Sequence, residues 1–566
     1  MGVLSMMMFF SVIMAVITAL TSVSSSVGFA AVEEVFTDSL SLVVSRSDFL
    51  EEIGDENITA VDETYGYVKN TALIFFEEDA GFFKKLNALS KTDGITVGSL
   101  PDMNLCIIKT PDMAYDKLTA YCENMMEHEA VALATICPAH KYEQQYTPDD
   151  PFTEYDWYTE EWNEASPYGN NWWLEAIDAR GAWGYDSLYE QIDIGIVDGG
   201  FDTDHDELSG KIVFPSGSEE SRNRPNSHGT HVAGIIAAKS DNGVGISGLC
   251  QNSELICVDW TPSDGQLWIP DAAVLFGFSK VVKAGAKVVN FSVGISNSIL
   301  SGDSEFLSIV NSFDAMIYSY SMGSLLSKGY DFVVVQSAGN GNEDGYAVSA
   351  SQNGLFCGIR DFGAFLPFIG ISKQDLLDRI IIVGSAGVEP NGYVQSASSN
   401  VGDVVDICAP GVMVYSCVQD DSYQTKSGTS MAAPMVTGVA SLVWSINPDL
   451  TAAEVKKIVC ENTKDIVQPS QDIAFNAGHR PYPMVNAKLA VEAALVQKGN
   501  AASVTFSGYS KENVTFTDDS GTEFVFETNE QGELSCVLPF GTYSVVSQGI
   551  DKNIEITQDT NITVGG

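Results

Sequence analysis

The residues best placed to do chemistry fall in three blocks. One is Ser427-Gly428-Thr429-Ser430-Met431-Ala432-Ala433-Pro434, a serine among small residues ahead of the apolar run 435–444. A serine at the start of a buried helix meets free backbone N–H groups and a partial positive charge. That setting suits a nucleophile whose attack creates an oxyanion. Pro434 reads as part of the helix's first turn, where a missing N–H costs little. Taken alone, the block could equally be an ordinary Ser/Thr helix cap. The next block is Asn226-Ser227-His228-Gly229-Thr230-His231-Val232-Ala233-Gly234, which holds two of the six histidines at the start of an apolar helix. Small residues at 229, 233 and 234 let that helix pack tightly. His228 is the candidate base and His231 the structural histidine. The third block is Asp198, which ends the apolar run 192–197 and precedes Gly199-Gly200. It is a carboxylate at a strand end, positioned but not crowded. Asp202, Asp204, Asp206 and Glu207 read as loop acids and turn formers.

Serine, histidine and aspartate can act as one machine. The histidine takes the serine proton during attack on a carbonyl, and the aspartate fixes the imidazole tautomer and steadies the imidazolium. A donor must also hold the oxyanion. Asn340 is the candidate, because it follows the apolar run 332–335 through Gln336-Ser337-Ala338-Gly339. No cofactor is required for this chemistry.

The elements that must carry these residues come from the hydrophobic pattern. Strand-like runs at 192–197, 287–291, 332–335 and 380–383 alternate with helical segments such as 271–283. This is the pattern of an α/β unit, a doubly wound parallel sheet with helices on both faces and active residues at the carboxyl ends of strands. Ahead of it, 67–145 runs strand, helix, strand, strand, helix, strand, a small α+β unit of ferredoxin-like order. The stretch 143–151 (Glu-Gln-Gln-Tyr-Thr-Pro-Asp-Asp-Pro) then breaks all periodicity. From 500 to 566, short alternating segments split by polar turns read as a β-sandwich, joined through the polar pair Gly499-Asn500 as a separable appendage.

A chain of 566 residues holds more than one domain, and its composition, 45% hydrophobic and 18% charged, is that of a globular chain. The net charge of −46 disfavours nucleic acid and anionic lipid and fits a monomer that avoids self-association. Residues 1–30 read as a secretory signal peptide, with an apolar run from Met6 to Leu20 and small residues before a cut after Ala30. No Lys or Arg precedes the run, so an uncleaved anchor is the alternative. The ten cysteines have no CxxC and no metal-ligand spacing, and free buried thiols are the expectation.

The three blocks resemble those of the subtilisin-like serine proteases (subtilases), and their order, Asp198, His228, Ser430, is the order of that family. The His228 and Ser430 blocks match fully. The aspartate block departs mildly, with Gly199 where the family has Ser or Thr and Asp206 where it has Pro. Ala338-Gly339-Asn340 resembles the oxyanion-hole block. Ser292, Val293 and Gly294 resemble the segment that pairs with substrate backbone, and Ala409-Pro410-Gly411 also fits. The resemblance covers 147–498. It implies a secreted, self-processing serine endopeptidase that acts on proteins or peptides. Residues 31–146 would be an inhibitory propeptide, cut within 141–147 and most naturally after Tyr146. The segment 240–248 is similar to a loop that binds calcium in some relatives, but it lacks a convincing set of oxygen side chains, so no metal site is assigned. Residues 300–330 and 341–372 are enlarged. The second follows Asn340 directly and is either a wall of the specificity pocket or a surface elaboration packed by its own aromatics. Residues 532–543 resemble part of carboxypeptidase regulatory-like domains. Two rival readings stay open: a catalytically idle binding protein working through its C-terminal domain, and a processing protease dedicated to one partner.

Overall fold

The computed structural model describes residues 58–563 apart from 61–64, 78–79, 91–93, 101–102, 141, 144–171, 217–225, 241, 243–244, 261–268, 296–303, 343–344, 363–369, 390–391, 471–479 and 548–549. The proposed signal segment, most of the break at 143–151 and the aromatic run 365–368 therefore lie outside the described residues.

The central sheet follows from the apolar runs. Its strands lie in the order Gly392–Gln395, Ile380–Glu389, Val333–Ser337, Val288–Phe291, Asp193–Asp198, Glu254–Asp259 and Ile212–Val213, and Ile407–Pro410 also pairs with Ile380–Glu389. All pairs are parallel except the one between Ile380–Glu389 and Gly392–Gln395. Successive residues of one strand feed opposite cores, as the two-residue period of a strand demands. Val333, Val335, Ile381 and Val383 join the core that includes the helices Ser227–Ala237 and Thr429–Ile446. Val334, Ile380 and Ile382 join the core that includes the helices Asp271–Lys283 and Ser304–Ser327. A sheet buried on both faces has no polar face to show, and that is why its strands read as continuous apolar runs.

The N-terminal unit takes the expected form. Strands Tyr65–Phe76, Ile95–Leu100, Leu105–Lys109 and Val131–His140 form an antiparallel sheet in which Tyr65–Phe76 lies between Val131–His140 and Leu105–Lys109. Helices Phe82–Leu89 and Tyr115–Met126 complete the element order. One sheet face shares the second core of the large unit, and the Phe75 and Tyr320 rings pack with centroids 5.9 Å apart. The chain then runs along the large unit's edge. His140 and Ala139 pair with Ile269 and Pro270, and Tyr142–Glu143 pairs antiparallel with Gly294–Ile295.

Seven C-terminal strands form two sheets of three and four strands. The sandwich is not a loose appendage, which corrects the separable join expected at Gly499-Asn500. Helix Ala487–Lys498 leads directly into strand Ala501–Ser507, and Val504, Phe506, Phe516 and Phe526 belong to the same core as helix Thr429–Ile446. Tyr185 ties the two units. Its hydroxyl donates to Glu492 Oε1 at 2.8 Å and accepts the Val537 N–H at 3.0 Å, and its ring packs 5.1 Å from that of Phe526. Both polar groups are buried, so these bonds satisfy donors and acceptors that water does not reach.

Candidate active site

Three strand ends and two helix starts converge at one edge of the sheet. Asp198 is the last residue of Asp193–Asp198, and helix Ser227–Ala237 begins beside it. Asn226 caps that helix, accepting the His228 N–H at 2.7 Å, so the histidine sits in the first turn with its backbone held. Gly229 lets the helix approach, because a Cβ there would overlap the Gly200 carbonyl. His228 Nδ1 then lies 2.8 Å from Asp198 Oδ1, which also accepts the Gly199 N–H at 2.6 Å. A carboxylate only accepts, so Nδ1 carries the proton and Nε2 presents a lone pair. Asp198 and His228 are both about 2% exposed at the side chain, and His228 Nε2 has no hydrogen-bond partner.

Ser430 is the second residue of helix Thr429–Ile446. The cap is Gly428, whose φ of 148° lies where glycine is favoured. The helix starts earlier than the sequence suggests. Pro434 is its sixth residue and not part of the first turn, which corrects that expectation. The displaced proline has a use. Its missing N–H would have bonded the Ser430 carbonyl, four residues back. That carbonyl instead accepts from Ser292 Oγ at 2.9 Å, while Ser430 Oγ donates to the Ser292 carbonyl at 3.2 Å. Ser292 Oγ in turn accepts from Asn290, and Asn290 accepts from Thr437 Oγ1 on the same helix. The serine hydroxyl and His228 Nε2 are thus not bonded to each other here, whereas Asp198 and His228 are.

Asn340 follows strand Val333–Ser337. Its Oδ1 accepts the Thr429 N–H at 2.9 Å and Thr429 Oγ1 at 3.0 Å. This fixes the amide orientation and leaves Nδ2 as a buried donor with no partner beside the start of helix Thr429–Ile446. Sequence patterns missed Thr429 in this role. A hydroxyl flanking the serine was the available signal, but its partner lies 89 residues away.

His231 is structural. Its Nε2 faces the carbonyls of Val414 at 3.1 Å and Gln424 at 3.0 Å, and its Nδ1 is buried without a partner. Burial first, then the Lys426 charge, pushes its pKa down to about 3. Burial also pulls the Lys426 ammonium down to about 8 against the opposing pull of Asp198. Glu207 departs from its reading as a loop acid. It is fully buried and accepts from the Ile246 N–H, Asn242 Nδ2 and the Tyr423 hydroxyl, so it anchors Asn242 and Ile246.

An α/β sheet that brings Asp, His, Ser and a lone amide donor together at its carboxyl edge defines a hydrolase of the serine-protease type. The chain belongs to the subtilase family, whose model matches residues 190–480, and it is a subtilisin-like serine protease. It is 32% identical over 292 residues to subtilisin DY of Bacillus licheniformis, covering 51% of this chain and 88% of that protein. It is 26% identical over 422 residues to a thermophilic serine proteinase of Bacillus sp. (strain AK1), covering 72% and 88%. Its fold resembles fervidolysin from Fervidobacterium pennivorans, with a TM-score of 0.52 at 20% identity over 89% of this chain and 79% of that one.

Proposed function

We propose that this endopeptidase cuts peptide bonds with Ser430 as nucleophile, His228 as base and then acid, Asp198 as the residue that orients His228, and Asn340 with the Ser430 N–H as the oxyanion hole. Rotation of the Ser430 side chain exchanges its Ser292 contact for His228 Nε2. Oγ then bonds to the scissile carbonyl carbon as its proton passes to Nε2, and the oxygen takes up the negative charge. Collapse breaks the C–N bond, and His228 returns the proton to the leaving amine. Water repeats the sequence on the acyl-enzyme. The observation that carries this reading is a pair of buried groups with unfilled bonding capacity, His228 Nε2 as acceptor and Asn340 Nδ2 as donor. Each unpaired group costs about 1–3 kcal/mol in the resting fold, a cost that a reacting serine and its oxyanion would remove.

In the same reading, residues 1–30 direct secretion, 31–146 are a propeptide that inhibits the enzyme in cis, 147–498 are catalytic, and the mature protein is a monomer. The C-terminal sandwich is proposed to be carboxypeptidase regulatory-like on its strand–turn–strand segment alone. The pairing of Tyr142–Glu143 with Gly294–Ile295 supports inhibition by a tail laid in the cleft. The pairs Gly294 with Glu143 and Ile295 with Tyr142 also set a register. We place the scissile bond within 141–147, most naturally after Tyr146. N-terminal sequencing and intact mass of wild type and Ser430→Ala test this. The wild type should begin at or within a few residues of Thr147, and the variant should keep residues 67–145. Identical maturation of both would assign the cut to another protease.

A further inference from the structure

The insertion after Asn340 carries a residue that the catalytic scheme does not use. Asn353 follows the short turn Ala350–Gln352 and is fully buried. Its Nδ2 donates to the Ser337 carbonyl at 3.0 Å. A carbonyl can only accept, so this bond fixes which way the amide faces. Oδ1 is then turned away from Ser337, and it has no hydrogen-bond partner. It lies between two glycines. A Cβ on Gly339 would come within 2.5 Å of Oδ1, and one on Gly294 would overlap the amide. Gly339 precedes the oxyanion residue Asn340, and Gly294 lies on the edge that pairs with the tail. The unfilled acceptor thus lies between the two backbone segments that bracket the attacked carbonyl. The side chain of the residue contributing that carbonyl has to enter there.

The position is braced. Gln336 Oε1 accepts the Phe356 N–H at 3.0 Å. The Phe356 ring packs among Phe278, Phe291 and Tyr318 at 5.1–5.3 Å. Leu355 holds a φ of 48°, a conformation an L side chain keeps only when its surroundings impose it. A floor held this firmly cannot turn its amide to suit each substrate.

We infer that Asn353 determines specificity for the acyl-side residue of the cut, and that it selects a carboxamide side chain, Gln or Asn. This rests on the serine mechanism proposed above. A substrate carboxamide would donate an N–H to Asn353 Oδ1. An apolar or aromatic side chain would leave that oxygen buried and unpaired, and a site built to receive a hydrogen bond rejects a partner that cannot make one. A Lys or Arg would lose its hydration against an uncharged amide.

The test is kcat/KM of the mature enzyme on peptides that differ only in the acyl-side residue, with Ser430→Ala as control. Gln and Asn should exceed Leu and Phe by about 10-fold or more. Asn353→Leu should reverse that ratio, and the near-isosteric Asn353→Asp should raise Lys and Arg. The ratios do not depend on how much of each variant folds. A wild type that prefers Leu, Phe or Tyr overturns the inference, as does a Gln-to-Leu ratio unchanged in Asn353→Leu. Hydrolysis that persists in Ser430→Ala would instead overturn the catalytic assignment.

Discussion

Lowering the pH should weaken this fold through His231. The ring is fully buried, its Nε2 already faces two carbonyls, and its Nδ1 has no acceptor to receive a second N–H. Protonation would bury a cation with one unsatisfied donor, near the positive Lys426. The folded pKa, about 3, lies below the unfolded value of 6.5. Between those values the unfolded chain binds more protons, so stability rises with pH and falls as pH drops through about 6.5. At about 1.36 kcal/mol per unit, the 1.5 units between 6.5 and pH 5 are worth about 2 kcal/mol. His231→Gln keeps a donor for the Val414 and Gln424 carbonyls and cannot titrate. Both chains should carry Ser430→Ala to prevent self-digestion. Urea unfolding at pH 7 and pH 5 then gives the difference. The parent should lose about 2 kcal/mol more than His231→Gln over that interval. Equal losses, or a larger loss in the variant, would refute the reasoning.

Three further outcomes follow from the geometry. Asn340→Asp keeps an acceptor for Thr429 but loses the Nδ2 donor, so kcat should fall by the roughly 10²–10³-fold found for one oxyanion donor in this enzyme class. Asn340→Ala should lose a similar factor in kcat and also about 1–3 kcal/mol of stability, because the Thr429 N–H and hydroxyl lose the Asn340 acceptor. A fall in KM alone would contradict both. Tyr185→Phe removes the hydroxyl shared by Glu492 and Val537, and thermal unfolding should show a loss of about 2–4 kcal/mol from two buried groups left unpaired. An unchanged melting curve would mean that the sandwich is held without them. Among the described residues all ten cysteines are unpaired, and burial pushes thiols such as Cys250 and Cys408 up to about 12. With the proposed propeptide and its Cys106, Cys122 and Cys137 removed, the enzyme should therefore resist a thiol reagent when native. Denatured, it should titrate for the other seven of the ten. A lower count without reductant would reveal a disulfide.

Much of the site is legible in the sequence because its markers are local. A carboxylate ending an apolar run, a histidine opening an apolar helix and a serine among small residues are patterns of a few positions. The central strands are legible for the same reason, since burial on both faces leaves continuous apolar runs. What was not legible depends on partners far along the chain. Pro434 was expected in the first turn because nothing local reveals that Ser292 takes over the carbonyl it frees, 138 residues away. Glu207 looks like a loop acid until the Tyr423 hydroxyl and the Ile246 N–H reach it. The Gly499-Asn500 join looks like a linker because Tyr185, which ties the sandwich down, lies more than 300 residues earlier. Asn353 sits in an insertion with no periodic pattern, and only its folding back onto Ser337 shows what it faces.

The central claim is that Ser430 becomes a nucleophile through His228 and Asp198. Its most direct test is covalent labelling of the mature enzyme with a fluorophosphonate, located by peptide mass. One adduct per chain should map to Ser430. It should be absent in Ser430→Ala and lost in His228→Ala. In Asp198→Asn, where the imidazole can take the wrong tautomer, it should form about 10⁴-fold more slowly. An adduct on another residue, or labelling undiminished in His228→Ala, would contradict the account.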